Sequence, residues 1–209
     1  MSAFLGRIHY WLYNKVLWHE ELLEELFNFG ASKNIPVEEI KADIYNKYGY
    51  PDVRPLEEII DHGNIHGWLQ SRIQSVEYRI ASVLTELITK HHVNIEELTE
   101  LYKNNGVKAA KSVLEEEART PQEIFTLVFD FMLAGMPCDR VHETISDSEN
   151  EFTWQTTRCL HKEYWDAVGG DVKHYYVLQD AWILGFVNTI DSSYSFIRTE
   201  DGLRTIRRG

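Results

Sequence analysis

The hydrophobic period of the chain changes at Gly135-Met136-Pro137, and this change limits what the chain can fold into. Upstream, apolar residues recur every three or four positions, the stripe of an amphipathic helix. Downstream, short segments alternate in twos, the mark of half-buried strands. Such a chain folds as helices followed by a small antiparallel sheet, an α+β protein. Its 209 residues can bury a substantial core without disulfides or structural metals. The division follows the switch: a helical part over 1–136 and an α+β part over 137–209, or one continuous domain carrying both.

In the helical part, Leu5, Ile8, Leu12, Val16, Leu23 and Leu26 form one stripe over Phe4–Phe29, with His19 in its gap and Gly30 as C-cap. Pro36 opens a second helix that runs to about Tyr48. A third and longest helix is predicted from Pro55 to about His91, its stripe passing through His62 and His66. Asn94 with Glu97 reads as a capping box for a fourth helix ending at Asn105-Gly106, and a fifth follows over Val107–Ala118. Thr120-Pro121 with Glu123 starts a central, nearly apolar sixth. Beyond Pro137, Arg140–Ser146 and Glu151–Thr157 read as a hairpin, and Cys159–Val168 and Tyr175–Ile190 as helices. Ser193–Thr199 and Leu203–Arg207 form a second hairpin, all four strands sharing one sheet.

A formal charge of −12 repels phosphate backbones and anionic lipid surfaces, so nucleic acid and membrane are excluded as simple partners. The apolar N-terminal stretch is broken by Arg7, His9, Asn14 and Lys15 and is no membrane span. Two cysteines, Cys138 and Cys159, make neither a CxxC pair nor a disulfide framework, which places the chain in a reducing cytoplasm. No GxGxxG, P-loop or GxSxG is present, against nucleotide-dependent or serine-hydrolase chemistry.

Nine histidines are the unusual count. His62 and His66, at i and i+4, project from one helical face with the spacing that lets two imidazoles bind one metal ion, and His19 offers a third ligand from another inward stripe. Asp61, Glu20 and His9 stand nearby as ligands or orienters. Three histidines with an open coordination position suit a divalent transition metal, Zn, Fe or Ni. Equally, these are core histidines hydrogen-bonded to backbone, tyrosine or tryptophan groups.

A second constellation lies in the α+β part. Cys159 follows a strand and opens a helix, where a thiolate is stabilised. His161 and His174 are candidate bases, Asp180 an orienting carboxylate, and Arg198 a bidentate carboxylate clamp. Trp154 and Trp182 read as core or pocket wall and as the aromatic candidates to touch a ligand. The alternative is a buried structural cysteine among surface charges. Arg204, Arg207 and Arg208 read as a basic terminus, a soluble chain end or a contact to an acidic patch on another subunit of a homo-oligomer.

The order Phe152-x-Trp154, Thr157-Arg158-Cys159, Trp165, Gly169-Gly170-Asp171, Asp180 and Phe196-x-Arg198-Thr199 resembles the C-terminal half of the L-2-amino-thiazoline-4-carboxylic acid hydrolase-like family, over about a third of the chain. The resemblance implies a small-molecule site in the α+β half, with Cys159 at the position of the family's cysteine and Asp180 at that of its later aspartate. It also implies hydrolytic opening of a small cyclic amidine-like carboxylate. Leu178 stands where a second cysteine is expected, so a mechanism needing two thiols does not carry over. Two functional expectations result: a small-molecule hydrolase acting on a cyclic carbon-nitrogen carboxylate, or a non-enzymatic metal- or cofactor-binding sensor built on His62, His66 and His19.

Overall fold

The computed structural model describes residues 5–114, 120–136 and 139–209. Cys138 and the acidic run Glu115–Glu117, read as a solvated helix face, lie outside the described residues. The fold is α+β: among the described residues, eight helices accompany one four-stranded antiparallel sheet. No described helix is long and apolar enough to cross a membrane.

The chain divides into two compact units, residues 1–93 with 161–171, and residues 94–160 with 172–209. The boundary therefore does not follow the change of period at Pro137, because two of the helices upstream of it pack on the sheet and on the last helix.

The first unit comprises α1 (Arg7–Ser32), α2 (Val37–Tyr48), α3 (Leu56–Ile59), α4 (Ile65–Thr89) and α7 (Lys162–Ala167). Helix α4 is its hub and packs against α1, α2 and α7, with Leu23, Leu26, Leu69, Val76, Leu84 and Leu87 wholly buried. Gly30 does not end α1. It is a buried helical position where a Cβ would lie 2.7 Å from Val37, so its role is close packing, and the helix closes two residues later at Ser32.

The long helix expected over Pro55–His91 is broken in two. Ile60 is extended, Asp61 Oδ1 accepts from the Gly63 amide at 2.8 Å, and Asn64 starts α4 by accepting from the Gly67 amide at 3.1 Å. A Cβ on Gly67 would fall 2.3 Å from the Asn64 amide, so this glycine makes room for the cap rather than for a ligand. Two local side-chain turns outweigh a hydrophobic stripe that would otherwise run on.

The second unit holds α5 (Ile95–Ser112), α6 (Pro121–Phe131), β1 (His142–Asp147), β2 (Glu151–Thr156), α8 (Val172–Ile190), β3 (Tyr194–Arg198) and β4 (Arg204–Arg208). The expected capping box is present, with Thr120 Oγ1 accepting from the Glu123 amide and Glu123 accepting from the Thr120 amide. The two helices expected on either side of Gly106 are one. Gly106 and Gly185 let α5 and α8 touch backbone to backbone: a Cβ on either would meet the other helix's carbonyl oxygen, Trp182 O at 2.1 Å or Lys103 O at 2.2 Å. The sheet runs β1-β2-β4-β3, and its register sets Trp154 opposite Arg204 and Arg204 opposite Arg198.

Candidate functional site

One face of the sheet changes character along its length. Phe152, Trp154, Phe196 and Ile206 share it with Phe125 and Phe129 of α6, in an aromatic cluster with ring centroids 4.5 to 6.4 Å apart. Alternation then puts Thr156, Arg204 and Arg198 on the same face at its other end. Helix α8 supplies Tyr176, Gln179 and Asp180 to these residues.

Asp180 joins the two arginines. Its Oδ1 accepts from Arg204 Nε at 2.7 Å and its Oδ2 from Arg198 Nη1 at 2.8 Å. Arg204 is almost wholly buried and spends all its arms, Nη1 on Thr156 Oγ1 at 3.2 Å and Nη2 on Gln179 Oε1 at 3.3 Å. Arg198 is 37% exposed, and Nη1 is its one hydrogen-bonding arm among the described residues. Both guanidinium groups face the Tyr176 ring, at 5.6 and 5.4 Å. The Tyr176 hydroxyl hydrogen-bonds Cys159; burial first, and that bond second, push its pKa well above the usual phenol range, so it stays protonated and donates toward sulfur. Two cations against one carboxylate leave one positive charge beside a half-buried thiol.

Of the expected catalytic set, the structure thus brings Cys159, Asp180 and Arg198 into one cluster through Tyr176 and Arg204. His174 is half-buried in the first turn of the same α8. Trp154 is core, 1% exposed in the aromatic cluster, with an indole N–H that has no hydrogen-bond partner among the described residues. Trp182 is also core, donating to buried Asn105 Oδ1 at 2.8 Å and stacking on Phe186.

His161 belongs to the first unit, where it precedes α7 and Nδ1 donates to the Glu77 carboxylate at 3.1 and 3.2 Å. The expected helix opening at Cys159 also moves, since α7 starts at Lys162. Around His161 lies a buried set that sequence spacing did not join. It includes Glu77, the Glu20–Arg79 ion pair and buried Lys15 over the Trp11 ring, with half-buried His19 at its edge, whose Nδ1 donates to the Lys15 carbonyl at 2.9 Å.

The expected metal triad does not assemble. His62 lies exposed in the turn between α3 and α4, and His66 is exposed in the first turn of α4, its ring 5.6 Å from His9. Glu20 is taken by Arg79, and Asp61 is exposed and bonded to Gly63. Among the described residues, no three His, Cys, Asp or Glu side chains are placed to hold a metal ion. The i, i+4 argument failed because the helix it assumed is interrupted between the two histidines.

Sequence reading also counted Arg204 with Arg207 and Arg208 in a basic terminus, a soluble chain end or a subunit contact, whereas the expected strand, β4, buries it. The signal was present in the alternation of Arg204 with Ile206, which puts both on the inner face. Tyr176 and Gln179 carried no signal beyond their spacing to Asp180. No family model, curated protein or solved structure matches this chain.

Proposed function

We propose that the protein binds a small carboxylate-bearing molecule at the Arg198 end of the sheet and hydrolyses a carbon-nitrogen bond in it through Cys159, within a reducing cytoplasm. The observation that carries this reading is the charge count around Asp180, two guanidinium groups to one carboxylate, with a thiol tied into the cluster by Tyr176. Arg204 is committed to the protein on every arm; Arg198 has donors left for a ligand carboxylate.

In the reaction, the Cys159 sulfur bonds to the ring carbon of a cyclic amidine, the ring carbon-nitrogen bond breaks, and the departing nitrogen takes the thiol proton. Water then attacks the carbon held on sulfur, releases it as product and returns a proton to the thiol, so one water is consumed overall. The protonated Tyr176 hydroxyl steadies the sulfur, and Arg198 fixes the substrate by its carboxylate. Leu178, at the expected place of a second cysteine, is buried in α8, consistent with chemistry on a single thiol. The resemblance of Phe152 to Thr199 to the amino-thiazoline carboxylate hydrolase-like family supports the same substrate class.

The test is ring opening of 2-amino-thiazoline-4-carboxylate, followed by mass spectrometry. Turnover is expected in the wild type, absent in Cys159→Ser, and reduced by about tenfold or more in Arg198→Ala, the loss of one charge-assisted contact. Turnover unchanged in both variants, or none in the wild type, would sink the proposal.

A further inference from the structure

The face of the sheet opposite the aromatic cluster carries a row that reads almost the same from either edge. Alternation places Thr153, Thr205 and Ile197 there, side by side on β2, β4 and β3. On β1 the register slips between Thr144 and Ser146, so Ile145 is the extra residue of a β-bulge and joins Ser146 opposite Thr153. Across the order β1-β2-β4-β3 the row is therefore Ile145, Thr153, Thr205, Ile197. Helices α6 and α8 pack on the aromatic face, and Ile145 is 47% exposed on this one.

One row further along the strands, the same face sets Glu151 of β2 directly across from Arg207 of β4. The two do not neutralise each other. Glu151 Oε1 accepts from the Ser146 hydroxyl at 3.1 Å and the Thr153 hydroxyl at 3.3 Å, while the exposed Arg207 guanidinium has no hydrogen bond or ion pair among the described residues. The face is thus acidic on its β2 side and basic on its β4 side, about a centre of two threonines that bond each other at 2.9 Å.

A twofold axis running along the strands, above the β2-β4 boundary, lays β1 of one copy over β3 of another and β2 over β4. Ile145 then faces Ile197, Thr153 faces Thr205 and Glu151 faces Arg207, and the symmetry makes each contact twice. Two sheets packed face to face lie about 10 Å apart with their strands within about 30° of parallel, which such an axis permits. Pairing edge to edge is discouraged instead, since the bulge and the carboxylates of Glu143 and Asp147 guard β1.

We propose that the protein self-associates through this face as a twofold dimer, its occupant a second copy of the same chain. The face is four strands wide, about 19 Å at the usual strand spacing. That is small for a permanent interface, so the dimer is of the weak, concentration-dependent class. It shares no residue with the Cys159 cluster, so neither proposal rests on the other.

Sedimentation velocity of the whole chain, at concentrations up to about 0.5 mM, tests it. The wild type is expected to pass from monomer to dimer, and Arg207→Glu and Glu151→Arg each to weaken the dimer at least about tenfold by setting like charges against each other. An equimolar mixture of the two variants should dimerise again, because each then offers the charge the other lacks; a pairing confined to one chain could not do this. Should Glu151→Arg disturb the hairpin through Ser146 and Thr153, Ile145→Lys at the exposed bulge takes its place, with the same loss expected. A wild type that stays monomeric, single variants that associate like the wild type, or a mixture no better than its components overturns the proposal.

Discussion

Arg79 of α4 holds Glu20 of α1 with both arms, Nη1 on Oε2 at 2.8 Å and Nη2 on Oε1 at 2.5 Å, while its Nε donates to the Ser75 carbonyl. The side chains are 1% and 8% exposed, so the pair is dry. Breaking a buried pair by removing one partner strands the other charge, at about 3–5 kcal/mol. Glu20→Ala and Arg79→Ala should each lose stability on that scale in urea unfolding, while the double change Glu20→Leu/Arg79→Met recovers much of it. Single losses below about 1 kcal/mol would show the pair to be effectively solvated.

The contact of α5 with α8 depends on two missing side chains. A methyl at Gly106 or Gly185 would overlap a carbonyl of the other helix, and neither obstacle is the flexible end of a side chain. Overpacking of this kind costs about 1–3 kcal/mol or more. Gly106→Ala and Gly185→Ala should each lower the Tm by several degrees in calorimetry, at about 2–4 °C per kcal/mol for a chain of this size. A gain in Tm, as expected of Gly→Ala in an open helix, would show that the helices have room.

The two arginines on Asp180 should separate by experiment. Arg204 is 3% exposed with every arm committed, so Arg204→Met should destabilise by about 2 kcal/mol or more by stripping the partner from Asp180 Oδ1, Thr156 Oγ1 and Gln179 Oε1, although Arg198 still holds Asp180 Oδ2. Arg198 is over a third exposed, and its ion pair is worth about 0–1 kcal/mol after screening. Equal losses in chemical unfolding of the two variants would assign Arg198 the same structural role as Arg204 and weaken its case as a ligand clamp.

How far the chain could be read follows from which forces are local. The Thr120–Glu123 capping box, both hairpins and their union in one sheet are set by neighbours in sequence, and they stand where the pattern places them. Asp180 meets both arginines because alternation sets Arg198 and Arg204 on the Phe196 face that α8 covers, whereas reading Arg198 as pointing away from Phe196 would put it on the other face. The break before α4 was misread because two Asx-type turns, at Asp61 and Asn64, outweigh a continuing apolar stripe. Gly106 was misread as a terminator because a notch for another helix looks the same in sequence as a stop. Glu20–Arg79 and Glu77–His161 lie far apart along the chain, and pairings of that kind leave no periodic trace.

His19 gives the first unit a pH dependence whose sign can be worked out. Burial disfavours its imidazolium and holds the group below the usual 6.5. The Glu77 carboxylate and the hydrogen bond to the Lys15 carbonyl oppose that shift, and His161 and the Lys15 ammonium add to it. The unfolded chain takes up the proton near 6.5, while the folded chain resists until lower pH. Between those values the unfolded state binds more protons, so stability falls as pH drops; above 6.5 both states are neutral and His19 contributes nothing. His19→Gln keeps an amide donor toward the Lys15 carbonyl but removes the titration. In urea unfolding between about pH 7 and pH 5, the wild type should lose stability more steeply than His19→Gln, the two converging at the upper end once a constant offset is removed. Parallel curves would mean that His19 titrates alike in both states and that its burial does not govern its charge.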